Sequence, residues 1–376
     1  MRIFFFLIII SNLSYAQLDT GSGTLPCDNT TFGTPSPNNT YECSSVTITA
    51  PFSTADLADP SLPLIIKSSS DVTIGEISFQ GLNGMTATPF AFGGDPGPGG
   101  GIGGSFIGAV ENGFPAPHGG NSAQDSSFCP DPLTDTAEGS GGGGGSFKDL
   151  GQDGVTGNEL VGNGIIVPAG SKGTPINFST YLLAGSGGGS GGNGCQLPDG
   201  DSNQAPGSGG GGGGGIHIIA NGEVTITGTI DVSGGNGGNG NNLGGGGGGG
   251  SAGFIIIQTN SQINLTGALI ASGGIGGTNG SPTTAGNGGL GAQGVVILED
   301  IDGNVPGTIV GTTPDIRPVG GSPISNVANF KSDISCGTIL PKNNDSKMFF
   351  QMLTGFFIVM MMSALLKTLS RFPKKF

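Results

Sequence analysis

The sequence predicts an all-β chain: a glycine-rich β-solenoid ectodomain followed by one C-terminal transmembrane helix. Three observations carry that reading. A short apolar rung turns onto glycine three times, as Gly75-EISFQ-Gly81, Gly228-TIDVS-Gly234 and Gly267-ALIAS-Gly273. A second rung precedes each copy: LIIK, IHIIA and FIIIQT. An apolar stretch at 348–366 has basic residues on both sides. Gly228 and Gly267 lie 39 residues apart, and each of the last two copies follows seven consecutive glycines. Repetition at fixed spacing marks a stack, because one rung pair cannot bury its own apolar face.

At the N-terminus, Arg2 precedes an apolar run at 3–10 and then Ser14-Tyr15-Ala16. A basic start, a short apolar core and small residues describe a secretory signal peptide, 1–16, cleaved after Ala16. Eight apolar residues are too few to span a bilayer. The 19 residues of 348–366 would make a helix about 28 Å long, close to the thickness of the hydrocarbon core. Lys347 precedes them, and Lys367, Arg371, Lys374 and Lys375 follow. The more basic side stays cytoplasmic, so the expected topology is type I with a tail at 367–376. A lipid-anchor signal competes, but such a signal normally ends within its apolar stretch, and this chain continues through KTLSRFPKKF. The expected address is the plasma membrane, with the ectodomain outside the cell.

The 376 residues include 80 glycines and 24 prolines, with no Trp and three Tyr. Glycine and proline at that level suggest disorder unless a period is present, and here the apolar residues cluster as rungs. Between residues 17 and 347, seven basic residues face 26 acidic ones, a net charge of −19. That balance disfavours nucleic acid and anionic lipid headgroups as partners.

Five cysteines lie in the exported region, where disulfides are expected. Cys27 and Cys43 enclose a small loop and form the first candidate pair; Cys129 and Cys195 form the second. Cys336 is left over, as a free thiol or the bridge of a disulfide-linked dimer. No Cys-x-x-Cys spacing occurs and His118 and His217 are isolated, which argues against zinc. Neither a metal nor a cofactor is expected. Asn-x-Ser/Thr sequons mark Asn29, Asn38, Asn177, Asn264, Asn279 and Asn344 as glycan acceptors in a eukaryotic host. In INLT at 263–266, alternation sends Ile263 and Leu265 one way and Asn264 and Thr266 the other.

The chain divides into a Cys-containing opening module at 17–61, a glycine-rich body at 62–311 and a Pro-rich stalk at 312–347. Body rungs are expected at 64–67, 72–79, 105–110, 164–167, 176–183, 216–220, 224–233, 254–259, 263–272 and 295–299. They are short, β-branched and bounded by Gly, Asn and Asp. The glycine runs at 209–215 and 244–250 admit two accounts. They are flexible connectors, or they are extended left-handed threads packed side by side, which only glycine allows.

Over 62–299, and most clearly 209–299, the chain resembles glycine-rich extracellular repeat proteins. The match lies in IHIIANGEVTITGTIDVSGGNGG and FIIIQTNSQINLTGALIASGGIGG. The resemblance implies a right-handed parallel β-helix or related β-solenoid on a cell surface.

An enzyme reading has fewer supports. Parallel β-helices host polysaccharide lyases and glycoside hydrolases, whose chemistry needs paired carboxylates or a base beside an acid cluster. Only Lys67, Lys148, Lys172, Arg317 and Lys331 are basic in or near the body. Glu223 and Asp231 flank one rung, but Gln262 and Ile270 stand at the aligned places. GGNGGNGNN lacks the Asp of a calcium-binding roll, and the glycine runs lack the GKS or GKT of a phosphate loop. His217 is expected as an outward or edge residue. Thr225, Thr227 and Thr229 form a hydroxyl row that Ala268 interrupts in the next copy. Insertions at 112–138 and 195–206 vary while the rungs repeat, which places recognition in loops. The expectation is a membrane-anchored structural or adhesive surface protein, not an enzyme, that contacts a glycan or another protein; the alternative is a carbohydrate-active β-helix enzyme.

Overall fold

Alternating β-branched residues form strands with one apolar face, and in this chain the strands stack in register. The structure, a computed structural model, describes residues 18–319 except 88–89, 107–112, 114–117, 124–135, 158, 162–168, 176–182, 195–204 and 281–285. The candidate signal peptide at 1–16, the candidate span at 348–366, the tail at 367–376 and most of the segment read as stalk lie outside the described residues. Among the described residues no helix is long and apolar enough to cross a membrane.

One sheet contains β1 (Cys27–Asp28), β3 (Val46–Ser53), β5 (Val72–Ser78), β10 (Thr229–Asp231), β13 (Ala268–Ile270) and β15 (Thr308–Val310) in that order. β9 (Val224–Ile226) and β12 (Ile263–Leu265) extend it beside β5. The second sheet runs β2 (Thr40–Cys43), β4 (Leu64–Ser68), β8 (Gly215–Ala220), β11 (Phe254–Thr259), β14 (Val295–Asp300) and β16 (Asp315–Pro318). Neighbours pair in parallel throughout both sheets. A short antiparallel pair, β6 (Thr136–Ala137) with β7 (Glu159–Val161), stands apart. The chain passes back and forth between the two sheets, with β9–β10 and β12–β13 as consecutive strands of the first, an arrangement that fits a β-solenoid.

The 39-residue spacing reappears as register. Gly215 lies beside Phe254, Val224 beside Ile263 and Thr229 beside Ala268. The first copy matches too, with Ile77 beside Ile230 and Ser78 beside Asp231. A Cβ at Gly267 would meet the Gly228 carbonyl, and one at Gly228 would meet that of Gly75. The bracketing glycines therefore stack backbone against backbone, which explains their fixed phase.

Between the sheets, Ile66, Ile218, Ile257 and Leu298 of one face Ile74, Ile226, Leu265 and their neighbours of the other in a single core. The opening module belongs to the same stack: β1 and β3 pair with the first sheet's strands and β2 pairs with β4. Phe32, Phe52 and Phe79 close that end edge to face, with centroids 5.5 and 5.9 Å apart. The predicted bond between Cys27 and Cys43 is present, with Cα atoms 5.6 Å apart across 16 residues, and it joins the two sheets. A closed loop of that size contributes about 3 kcal/mol by restricting the unfolded chain. Cys43→Ser should lower the unfolding free energy by about that amount, and reductant should bring the wild type to the same value in urea titrations. Equal stability with and without reductant would show the bond to be energetically idle.

Three expected rungs fall wholly or mostly outside the described residues. β4 pairs directly with β8, and β5 with β9 and β10, so no strand from 105–110, 164–167 or 176–183 intervenes. Phe106 makes one isolated bridge to Ala91, while 164–167 and most of 176–183 lie outside the described residues. The chain leaves the stack after Phe79 and returns at Gly215. At the other end β16 continues the stack into the segment read as stalk.

Described segments between these points, and the glycine runs that follow, form hydrogen-bonded threads. In thread 207–215, Gly209 and Gly212 donate to the carbonyls of Gly104 and Gly101; Gly210 and Gly213 donate to Gly248 and Ser251; Gly211 and Gly214 donate to Leu82 and Phe79. Every third N–H thus reaches the same neighbour, the signature of an extended threefold helix. Carbonyls repeat the pattern, accepting from threads 91–98, 183–194 and 232–240. Six threads surround 207–215, and each also bonds to the next around the ring. Thread 243–253 is enclosed in the same way by 207–215, 232–240, 271–280, 286–294, 138–147 and 183–194. The threads are ordered; they are not flexible connectors.

Enclosure explains glycine density. Inside a complete ring all three phases face backbone: a Cβ at Gly248 would meet the Gly143 carbonyl, and one at Gly249 that of Gly274. Threads at the surface keep two glycines in three and free the third phase for a side chain, as in GGNGGNG and GGIGG. Where serine replaces glycine inside, its hydroxyl bonds to a neighbouring carbonyl: Ser186 Oγ lies 2.5 Å from Ser146 O and 2.8 Å from His118 O, and its one hydrogen serves one of them.

Candidate functional site

The second sheet is apolar on both faces because the thread bundle covers its outside. Phe254, Ile256 and Ile297 pack there against Phe147 and Ala184. Beside this patch a polar chain crosses the sheet. The His217 Nε2–H donates to Gln258 Oε1 at 2.8 Å; the Gln258 amide donates to Glu299 at 2.5 Å; Arg317 Nε lies 2.7 Å from the other Glu299 oxygen. Because the Gln258 nitrogen serves Glu299, its oxygen faces His217, which requires a proton on Nε2. β-Register places Gln258, Glu299 and Arg317 in one row.

His217 is outward-facing relative to the stack, as expected, yet it is 5 % exposed. Burial pushes its pKa down to about 4, the Gln258 bond opposes the shift, and the Lys67 charge adds to it. The imidazole is therefore neutral at ordinary pH. Sequence reasoning missed this arrangement; the unbroken apolar run IHII was the signal for a strand covered on both sides.

The remaining predicted polar residues are dispersed. Glu223 accepts from the Thr225 hydroxyl at 2.9 Å, and Asp231 from the Ser233 amide at 2.9 Å and from Gln80. Lys67 pairs with Asp19, which lowers that carboxyl's pKa, and Lys172 pairs with Asp153 at 2.8 Å. Lys331 lies outside the described residues. The His118 ring contacts Thr174 O at 2.9 Å. The Thr227 hydroxyl turns back to the Ile74 carbonyl, which removes it from the row with Thr225 and Thr229. Among the described residues no group of three His, Cys, Asp or Glu could hold a metal. The asparagines of GGNGGNGNN tie adjacent threads together, since Asn236 and Asn239 accept from the amides of Ile275 and Thr278 at 2.8 and 2.9 Å.

Of the sequons, Asn264 and Thr266 are exposed, with Ile263 and Leu265 buried, as the alternation predicts. Asn29 and Asn38 are half-buried, and Asn279 is 5 % exposed, which leaves no room for a glycan in this conformation. Asn177, Asn344, Cys129, Cys195 and Cys336 lie outside the described residues.

Thread direction defines a second feature, an end of the bundle remote from the sheets. Threads 79–87, 232–240 and 271–280 continue β5, β10 and β13 and run outward; 207–215, 243–253 and 286–294 run inward to β8, β11 and β14. Thread 118–123 is parallel to 183–194, which is antiparallel to 207–215, so both run outward. Thread 138–147 is parallel to 243–253 and runs inward. Ala123 and Glu138, which flank 124–135, therefore lie at the far end, as do Gly194 and Ala205, which flank 195–204. Asn241 and Asn242 join two threads there, Asn242 with φ of 48°.

The chain matches no protein family, no curated protein and no solved structure.

Proposed function

We propose that the protein is a membrane-anchored cell-surface protein with a structural or adhesive role. In this reading a β-solenoid of the glycine-rich extracellular type, held by a helix at 348–366, carries the thread bundle, and the far end of the bundle contacts a glycan or another surface protein. The observation that carries it is topological. The flanks of 124–135 and 195–204, two segments some 60 residues apart in sequence, come to the same end of a hydrogen-bonded lattice. A rigid lattice whose connecting segments start and end at one end is suited to recognition. The net charge of −19 limits partners to neutral or basic surfaces.

The test is adhesion by cells displaying the full chain, with 124–135 or 195–204 replaced by a short Gly-Ser link. Adhesion to a glycan array or to partner cells should fall at least tenfold in one replacement, while surface level and thermal midpoint hold. Unchanged adhesion in both would remove the far end from consideration.

A further inference from the structure

One flank of the bundle is built differently from the rest. In the layer that continues the first sheet, a Cβ at Gly274 would meet the Gly235 carbonyl, and a Cβ at Gly235 would meet that of Leu82. Three residues on, Gly277 faces Gly238 and Gly238 faces Met85 in the same way. Thread 79–87 is the outermost described thread of this layer, and at the phase where the inner threads need glycine it carries Leu82 and Met85. The next two threads around the ring, 91–98 and 99–106, carry Phe92 and Ile102. These four side chains are 45–58 % exposed. Residues 80–106 contain one charge, Asp95. Exposed apolar side chains gathered on one face mark a contact surface.

We propose that this flank is a self-association surface, on which two copies of the chain pack about a twofold axis. Three features select a second copy. Each copy carries −19 over its exported part, so like charges oppose approach elsewhere, whereas this flank meets its twin with one carboxylate per side. Leu82, Met85 and Ile102 offer a sugar neither donor nor acceptor, which turns the flank toward an apolar protein face. The exposed side chains lie on three consecutive threads of the ring, and a patch that faces an identical copy meets the same residues, as a twofold interface requires. This pairing is independent of what the far end of the bundle recognises.

Sedimentation of the full-length chain in mild detergent, across a hundredfold concentration range, tests it. The wild type should pass from monomer to dimer, and 0.5 M salt should strengthen the dimer by screening the acidic surfaces. Leu82→Gln with Phe92→Gln should weaken it at least tenfold. Thr86→Glu, on the same exposed edge, should weaken it while every apolar contact remains. Circular dichroism should be unchanged in each variant, because these side chains face solvent. A wild type that stays monomeric, or variants that dimerise as tightly as it does, would overturn the proposal.

Discussion

Gly248→Ala is expected to lower the unfolding free energy by about 3 kcal/mol or more, the upper range for overpacking. The residue sits in a completely enclosed thread, donates to Gly189 O at 2.8 Å and accepts from Gly210 N at 2.9 Å. An added methyl group would press on the Gly143 carbonyl, which is backbone and is itself held in the lattice. No rotamer change relieves that contact; threads must separate, and the hydrogen bonds at each phase lengthen together. Asn239→Ala is the matched control. It removes one exposed hydrogen bond to the Thr278 amide, at a cost of about 1 kcal/mol or less. Urea titrations of the two variants, with equal m-values as the check on two-state behaviour, give the comparison. Similar costs at the enclosed and surface positions would mean that enclosure does not set the glycine requirement.

Acid should destabilise the fold through the buried His217. Its folded pKa of about 4 lies below the ordinary value of 6.5, so the unfolded chain binds the extra proton more readily. The neutral side chain's contribution is complete above pH 6.5, declines as pH falls toward 4, and is lost below that. A shift of this size corresponds to about 3 kcal/mol at most. His217→Gln keeps an amide hydrogen for Gln258 and removes the titration. The wild-type advantage over this variant should therefore shrink by up to about 3 kcal/mol between about pH 7 and about pH 4. The difference cancels the carboxylates with lowered pKa, such as Asp28 and Asp153, that also titrate on acidification. A pH-independent difference would show that the imidazole reaches solvent.

The structure follows the sequence reading closely where side chains carry the information. VTI, VTI and INL pair residue for residue because Val, Ile and Leu at alternate positions must share one interior. The Cys27–Cys43 bond was readable for a similar reason, as two apolar thiols closing a short loop. The rungs expected at 105–110, 164–167 and 176–183 lie wholly or mostly outside the described residues; of them Phe106 alone is seen in a bridge, to Ala91. His217 points outward as expected, but its burial was not legible. Alternation says which way a residue points, and it does not say what lies beyond it.

The candidate recognition end was legible only in part. Long insertions at 112–138 and 195–206 stand out in the sequence, but that Ala123, Glu138, Gly194 and Ala205 come to one end depends on thread direction. That direction comes from backbone hydrogen bonds such as Gly188 N to Gly210 O and Gly145 N to Gly249 O.

Taken alone, the order of residues specifies the two-sheet stack, its 39-residue register and the disulfide, because apolar alternation and thiol chemistry are local properties of side chains. Which glycine run lies at the centre, which forms an edge, and which flank remains greasy were settled by folding in three dimensions. Glycine carries no side chain, so its place is chosen by the carbonyl oxygens of segments as distant as Leu82 from Gly211.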